Sequence, residues 1–238
     1  MTRACFVTAT DTGVGKTILT ATIAAGLLAG GVDVKVRKPV LTGATEPPSH
    51  GRAPMAQELS QLPDHELLGA VSGERPEEVS PARYEAPVAP TLAAELAGRP
   101  LELEPILDSL RAAAAAAEAI VVEGIGGLLV PLSASWDVRR LAQELGWPVI
   151  VAARYGLGTI NHTLLTLEAA RYAGLDVRAV VLTPWPAVPD AVARSNRDLI
   201  ERLGEVEVAT LPALSAITRA TLAEASEALA YEPWLAAA

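Results

Sequence analysis

The sequence has one cysteine, Cys5, and fewer basic than acidic residues, and both shortages limit what the protein can be. A single thiol cannot form an internal disulfide, so we expect a cytoplasmic protein in which Cys5 is a small buried side chain. The chain has 19 Lys and Arg against 28 Asp and Glu residues, which gives a net charge of −9. An acidic surface repels phosphate backbones, so we expect no nucleic acid partner.

Long apolar runs are absent as well. The longest, Ile18–Leu28 and Ala112–Val122, are shorter than the roughly 20 residues that span a bilayer. The first ten residues lack the sustained apolar segment of a signal peptide. We therefore expect a protein without membrane association.

Lysine is scarce, with three residues, Lys16, Lys35 and Lys38, against 16 arginines. A chain that uses arginine by default places lysine where a compact ammonium is needed instead of a planar guanidinium. Two of the three lysines fall in motifs described below.

What the sequence does have is regular alternation of short β-branched runs and helical patterns, in a chain that is half hydrophobic. This alternation predicts an α/β fold, with one doubly wound, mainly parallel sheet and helices on both faces. No composition shift divides the chain, so we expect a single domain over residues 1–238. The predicted strands are Cys5–Thr8, Val32–Val36, Ala119–Glu123, Val149–Ala153, Val177–Leu182 and Val206–Leu211. The predicted helices are Lys16–Ala29, Pro105–Ala117, Val138–Leu145, Thr159–Ala173 and Ala187–Leu203. Two proline-rich segments, Glu46–Pro54 and Gly73–Pro90, are predicted to be surface loops.

The first predicted strand leads into the stretch TDTGVGKT, Thr10–Thr17, and a helix follows, as a phosphate-binding P-loop requires. Its backbone N–H groups would surround phosphate oxygens at a helix start, and Lys16 would reach the β- and γ-phosphates. The Thr17 hydroxyl would ligate Mg²⁺. The loop begins unusually, because Thr10 stands where a P-loop usually has glycine. The predicted nucleotide contacts here are Gly13, Val14, Gly15, Lys16 and Thr17.

The second predicted strand ends in KPVLTG, Lys38–Gly43. Pro39 stiffens the exit from the sheet, so Lys38 is predicted to point toward the P-loop. An ammonium there can neutralise an anionic substrate together with a transferring phosphoryl group.

The stretch IVVEGIGG places Glu123 at the end of a buried strand, where an acidic residue holds Mg²⁺ directly or through water. The glycines after it, Gly124 and Gly126, let backbone approach a ligand closely. We predict a magnesium ligand at Glu123.

The stretch GLGTINHT, Gly156–Thr163, is another strand-to-helix turn. Its free N–H donors suit a carboxylate or a phosphate. His162 is predicted to serve packing or hydrogen bonding, and His50 and His65 are predicted to lie on the surface. The sequence shows no Cys/His metal set.

In combination, TATDTGVGKT, KPVLTG, VEGIGG and LGTINH resemble the dethiobiotin synthetase family, ATP-dependent enzymes of biotin synthesis, over most of the chain up to about Asn196. The P-loop of that family is one residue longer, and its first glycine falls at Ala9. Thr10 in place of glycine is then expected, and alanine at position 9 is tolerated if its φ is negative.

The resemblance implies a reaction. One amine of 7,8-diaminononanoate takes up CO₂ as a carbamate, the carbamate oxygen attacks the γ-phosphate of ATP, and the second amine closes the ureido ring with release of phosphate. Lys16, Lys38 and Mg²⁺ would offset the repulsion between the two anions. The implied catalytic residues are Lys38, Lys16 and Thr12.

The resemblance also implies binding roles and a homodimer in which the carboxylate tail of the diamine lies against a helix start of the partner subunit. The implied diamine contacts are Thr12, Lys38, Thr42 and Gly126, with Gly158, Thr159 and Asn161 at that helix start. The further nucleotide contacts are Glu123, Gly124, Ile125, Gly126, Thr183, Pro184 and Pro212. The implied magnesium ligands are Thr17 and Glu123.

Two departures from the family pattern affect these roles. The family usually has an Mg²⁺-ligating Asp in the loop after KPVxTG, and the sequence aligns Pro54 or Met55 there, with Glu58 or Glu46 as candidate substitutes. An adenine-binding Asn is common where this chain has Thr183–Pro184–Trp185. The base preference is therefore open, and another triphosphate such as CTP is an alternative to ATP.

Two other functions stay open on the sequence. One is a dimerising ATPase switch related to MinD and ParA, although those carry an additional lysine early in the loop, where this chain reads TATDT. The other is a homologue with lost or altered activity, suggested by the missing Asp.

Overall fold

The computed structural model describes residues 2–44 and 58–237, with two sheets in these ranges. The strands of the large sheet are β1 (Arg3–Ala9), β2 (Val34–Arg37), β5 (Ala119–Glu123), β6 (Val149–Ala153), β7 (Val177–Trp185), β8 (Glu207–Pro212) and β9 (Ala236–Ala237). They follow the order β2-β5-β1-β6-β7-β8, all parallel, and β9 pairs antiparallel with the start of β1. The predicted parallel sheet is confirmed.

The small sheet pairs β3 (Val40–Thr42) in parallel with β4 (Ala82–Tyr84). It lies just beyond β2, since Lys38 and Pro39 alone separate β2 from β3. Both elements were missed, because three-residue strands carry too little alternation to show a period.

Nine α-helices are described. They are α1 (Lys16–Ala29), α2 (Asp64–Ser72), α3 (Pro76–Val79), α4 (Pro90–Leu96), α5 (Leu103–Ala115), α6 (Val138–Leu145), α7 (Thr159–Tyr172), α8 (Ala191–Gly204) and α9 (Arg219–Ser226). Two 3₁₀ turns, Glu58–Gln61 and Glu232–Trp234, complete the helical elements of the described ranges.

The core has two layers, one on each face of the large sheet. Alternate residues of β1 belong to different layers: Phe6 packs on the side of α5, α6 and α7, and Cys5 and Val7 on the side of α1, α2 and α9. This two-residue period is what a strand buried on both faces requires. Cys5 is buried as predicted, and burial raises the pKa of its thiol to about 12.

Three predictions about local structure are wrong in detail. The predicted helix from Ala187 begins only at Ala191, because Pro189 restricts the residue before it and Asp190 caps the helix by accepting from the Ala193 N–H at 2.7 Å. The segment Gly73–Pro90 is not a plain loop, since it contains α3 and β4. The segment Glu46–Pro54 lies outside the described residues.

His65 is also not on the surface. It is 7% exposed in the first turn of α2, and burial lowers the pKa of its imidazole. In the described ranges, no helix combines the length and the apolar character needed to cross a membrane.

Candidate active site

A cavity of about 710 Å³ lies at the carboxyl ends of the parallel strands, where ligands of open α/β sheets bind. Most of the predicted site residues line it. They are Thr12, Gly13, Gly15, Lys16, Thr17, Lys38, Thr42, Glu123, Ile125, Gly126, Thr183, Pro184 and Pro212. The structure therefore brings three of the four sequence motifs, TDTGVGKT, KPVLTG and VEGIGG, to one place.

The P-loop forms the floor of this cavity and leads directly into α1. Gly15 is the N-cap of α1 and has φ 97°, and no side chain caps the helix, so its first N–H groups are available to an anion. A Cβ at Gly15 would lie 2.8 Å from Thr183 Cγ2, which excludes a side chain here. Ala9 is buried in β1 and is not among the described residues with positive φ, so its methyl group is tolerated.

Lys16 is buried at the base of the loop, and its ammonium donates to the Asp11 carbonyl at 3.2 Å. Burial lowers the pKa of Lys16 to about 8, because the charged form loses hydration that the Glu123 carboxylate only partly replaces. An anion in the cavity would restore the balance in favour of the ammonium.

Lys38 points into the same cavity, as predicted, and is 5% exposed. Its ammonium donates to Glu123 Oε1 at 2.8 Å and forms an ion pair with Asp64. Burial lowers the pKa of Lys38, but these two carboxylates raise it by more, so the pKa lies above its ordinary value. Lys38 is therefore charged at neutral pH.

The Thr17 hydroxyl and the Glu123 carboxylate are suited to a magnesium ion. Thr17 Oγ1 donates to Glu123 Oε1 at 3.0 Å, while the buried Glu123 Oε2 has no hydrogen-bond partner among the described residues. No cluster of three His, Cys, Asp or Glu side chains with metal-site geometry occurs in the described ranges. Mg²⁺ accepts such a sparse set, since it keeps several waters and binds phosphate oxygens. The residues present fit a nucleotide-bound Mg²⁺.

Asp64 was missed by the sequence analysis, although a carboxylate was expected after KPVLTG. It lines the cavity as the first residue of α2 and pairs with Lys38. The aligned positions Pro54 and Met55 and the candidate substitute Glu46 lie outside the described residues, as does the side chain of the other candidate, Glu58. The sequence feature that could have located Asp64 is a helix start, because Pro63 precedes two acidic residues and then an apolar period.

The turn after β5 contributes Ile125 and Gly126 to the cavity wall. Gly126 has φ 61°, and a Cβ there would lie 2.7 Å from Val130 Cγ2 and 3.5 Å from Thr12 Oγ1. Gly126 and Thr12 are therefore neighbours in the cavity lining. Gly124 and Val14 do not line the cavity; Gly124 packs against Phe6 and Val138 instead.

The turn before α7 lies apart from the cavity. Gly158 and Asn161 are exposed and do not line it. The hydroxyl of the buried Thr159 is turned inward and donates to the Arg154 carbonyl. Arg154 in turn reaches the P-loop through an ion pair with Asp11 at 3.1 Å. The residues predicted to bind the carboxylate tail of the diamine, Gly158, Thr159 and Asn161, therefore do not line the cavity of the same chain.

The other histidines add nothing to the site. His162 is exposed on α7, and His50 lies outside the described residues. No described residue of the cavity lining is a histidine.

Comparison with known proteins places this geometry in context. A family model described as an AAA domain matches residues 3–221. The chain is 42% identical to an ATP-dependent dethiobiotin synthetase, BioD, of Anaeromyxobacter sp. (strain Fw109-5) over 86% of this chain and 91% of that protein. It is 38% identical to the protein of the same name from Mycobacterium marinum (strain ATCC BAA-535 / M) over 99% of this chain and 98% of that one.

Solved structures support the fold alone. The cell division ATPase MinD of Pyrococcus furiosus superposes with a TM-score of 0.52 at 17% identity, covering 98% of this chain and 92% of that one. A ParA family ATPase of Chlorobium tepidum TLS gives 0.51 at 13% identity, covering 98% and 94%. The resemblance to these two ATPases is one of fold, and the sequence relatives do not favour the alternative of an ATPase switch.

Proposed function

This chain belongs to the dethiobiotin synthetase family, and we propose that it converts 7,8-diaminononanoate, CO₂ and ATP into dethiobiotin, ADP and phosphate. The observation that carries the proposal is the pair of buried lysines, Lys16 at the start of α1 and Lys38 just after β2, that line one cavity. The additional lysine of the switch ATPases lies early in the loop, whereas the second cation of this site, Lys38, follows β2 and is suited to a second anion.

The reaction joins two anions. One amine of the diamine adds to CO₂ and loses a proton, which gives a carbamate. A carbamate oxygen forms a bond to the γ-phosphorus as the bond to the β-phosphate oxygen breaks, which gives a carbamic–phosphoric anhydride and ADP. The second amine then attacks the carbonyl carbon, and phosphate leaves with the former carbamate oxygen. The protein has to hold oxygen against phosphorus despite repulsion.

The P-loop would bind the triphosphate. Backbone N–H groups of Gly13, Val14 and Gly15 and of the start of α1 would donate to the phosphates, and the Lys16 ammonium would offset the charge of the β- and γ-phosphates. Gly15 supports this role because its turn leaves no room for a Cβ. The loop would therefore hold the leaving group, ADP, in place during the transfer.

Thr17, Glu123 and Asp64 would hold Mg²⁺, directly or through water. When bound, the ion neutralises phosphate charge. The buried and unpartnered Glu123 Oε2 supports this assignment, as does the position of Asp64 on the same ammonium as Glu123. Asp64 takes the role that the family gives to an Asp in this loop.

Lys38 would hold the carbamate against the γ-phosphate. Its ammonium is buried, charged and oriented by two carboxylates, so little reorganisation is needed when a substrate anion arrives. Thr12, Thr42 and the backbone at Gly126 line the adjacent wall and would position the two amines. Lys38 is accordingly the residue on which the chemistry depends most.

ATP is the co-substrate, and we propose that its base is held without a side-chain amide. Thr183, Pro184 and Pro212 line the cavity, and no described lining residue is Asn or Gln. A site without a base-specific side chain discriminates weakly, so CTP should support turnover within about tenfold of ATP. A panel of nucleoside triphosphates at fixed diamine tests this.

We propose a homodimer in which each subunit supplies the tail-binding turn of the other. The turn before α7 is exposed and lies apart from its own cavity. Exposed apolar side chains lie on this turn, on α7 and near the start of α8, which packs against α7, and we define four of them as the apolar ridge: Leu157, Leu165, Val188 and Val192; Leu157 is 99% exposed. A monomer rarely leaves such a patch uncovered.

We also propose that residues 1–238 form one P-loop domain in the cytoplasm. The pairing of β9 with β1 ties the two ends of the chain to the same sheet, which supports one folding unit. The unpaired, buried Cys5 suits a reducing compartment.

The test of the proposed function is phosphate release by the purified protein with ATP, Mg²⁺ and bicarbonate, with and without 7,8-diaminononanoate. We expect release only with the diamine, together with dethiobiotin detected by mass spectrometry. Release that does not depend on the diamine would support the ATPase switch. No release with any triphosphate would support a homologue that has lost the activity.

A further inference from the structure

Three hydrogen bonds join the junction between β2 and β3 to the neighbouring segment 79–82. The Lys38 N–H donates to the Val79 carbonyl at 2.9 Å, and the Ala82 N–H donates to the Pro39 carbonyl at 3.3 Å. Between them, the Ser80 hydroxyl donates to the Lys38 carbonyl at 2.6 Å. Because Pro39 has no N–H, the strand ladder cannot continue through the junction, and Lys38 depends on these bonds for its position.

Of these three hydrogen bonds, the one from Ser80 is made by a side chain and therefore depends on the residue type. The other two bonds join backbone to backbone, so a side-chain substitution leaves their atoms in place. Ser80 is fully buried and does not line the cavity, so it does not touch a substrate there. Without the hydroxyl, the Lys38 carbonyl would lose a partner in a buried place, which favours a shift of the backbone.

The residues before Lys38 are held from the same side. The Glu74 carboxylate accepts from the Val36 N–H at 2.8 Å and from the Arg37 guanidinium at 2.6 Å. β2 is the edge strand of the large sheet, and Glu74 satisfies a backbone donor on its open side. Glu74 and Ser80 therefore bracket a short segment that fixes the end of β2.

We propose that Ser80 is a positioning residue for Lys38, which sets the place of its ammonium beside Glu123 without contacting substrate. The inference rests on the proposed function, because it assigns Ser80 a part in the same reaction. A displacement of about 1 Å in a catalytic group can cost on the order of 100-fold in rate, and the lost hydroxyl is expected to allow only part of such a shift. The expected loss is therefore about tenfold in kcat.

The test compares Ser80→Ala with a matched control, Ser226→Ala. Ser226 is likewise buried, and its hydroxyl donates to the Ala223 carbonyl at the same 2.6 Å, but it lies at the end of α9 and does not line the cavity. We expect Ser80→Ala to lower kcat about tenfold while the KM for ATP stays within about twofold. Ser226→Ala should leave both constants near the wild-type values.

A second readout does not depend on turnover. The chain has three lysines, so an amine-reactive label with peptide mass spectrometry reports each one separately. Labelling of Lys38 relative to Lys35 should rise about threefold or more in Ser80→Ala, because a misplaced ammonium leaves its buried contacts more often. Ser226→Ala should not change this ratio.

The outcomes separate the two ideas. A wild-type enzyme that ignores the diamine contradicts the proposed function, and the labelling ratio then still decides the role of Ser80. An unchanged kcat and labelling ratio in Ser80→Ala, or an equal fall in kcat in Ser226→Ala, overturns the inference. If Ser80→Ala does not fold, Ser80→Cys, with a weaker donor, should lower kcat about threefold, and wild-type kcat from it overturns the inference equally.

Discussion

The phosphate-binding end of the cavity and the turn before α7 both follow strands of one sheet, yet they differ in burial. At the first, Lys16, Lys38 and Glu123 are buried and bonded to each other or to the loop. At the second, Leu157 and Asn161 are exposed, and the link to the P-loop is an exposed ion pair between Arg154 and Asp11. An ion pair of that kind contributes little to stability.

The difference teaches which functions one chain can perform alone. A site that stabilises a transferring phosphoryl group has to be preorganised and shielded from water, so its charges are fixed within the fold. A site that only binds the distant carboxylate of a substrate does not need this preorganisation, so it can be completed by a partner subunit. Substitutions at the buried end should therefore change kcat, and substitutions at the exposed turn should change KM for the diamine.

The largest effect is expected for Lys38→Ala, which removes the ammonium from the buried end. Turnover should fall by roughly 1,000-fold, because a preorganised charge that opposes two anions is lost. ATP affinity, measured by calorimetry, should stay within about threefold, since the P-loop is intact. Lys35→Ala is the control, because Lys35 is a partly exposed lysine three residues earlier. If Lys38→Ala keeps its activity, the role given to Lys38 is wrong.

Next comes the magnesium requirement. Asp64→Asn should raise the Mg²⁺ concentration for half-maximal activity by about 10- to 100-fold, because a ligating charge is lost at the buried end. Glu66→Gln, two residues along α2 and outside the cavity lining, should leave the magnesium titration unchanged. An unchanged titration in Asp64→Asn means that Asp64 serves only as the partner of Lys38.

Asp64 also shows which parts of the site could not be predicted from the sequence. The parallel sheet, the P-loop, Lys38 and Glu123 followed from patterns that local residues determine: β-branched runs, glycine spacing and charges at strand ends. Asp64 did not, because the long segment after KPVLTG has no period, and its distance along the chain from Lys38 says nothing about its distance in space. The burial of His65 depended on the same missed helix.

A smaller effect is expected at the exposed turn. Leu165→Asp places a charge on the apolar ridge, where it should weaken dimerisation and raise the KM for the diamine about tenfold, with kcat at saturation nearly unchanged. Leu203→Asp is the matched control: Leu203 on α8 is 52% exposed against 56% for Leu165, but it is not part of the ridge. Analytical ultracentrifugation and diamine titrations measure both. A dimer that tolerates Leu165→Asp contradicts this interface.

The smallest expected effect is a pH dependence of ATP binding. Burial lowers the pKa of Lys16 to about 8, so the free enzyme loses this ammonium as the pH rises through that value. Since the triphosphate binds to the charged form, the KM for ATP should rise about fourfold between pH 7 and 8.5, with KM for the diamine less affected. A KM for ATP that is constant over this range shows that Lys16 stays charged.

The central claim is that the buried end transfers phosphate to a carbamate and not to water. Freshly dissolved C¹⁸O₂ in unlabelled water tests it, if the reaction is stopped before the label exchanges with the solvent. The account predicts that each phosphate released carries one ¹⁸O, because the oxygen that attacks the γ-phosphorus comes from the carbamate and leaves with the phosphate. Diamine-dependent phosphate that contains no ¹⁸O would contradict it.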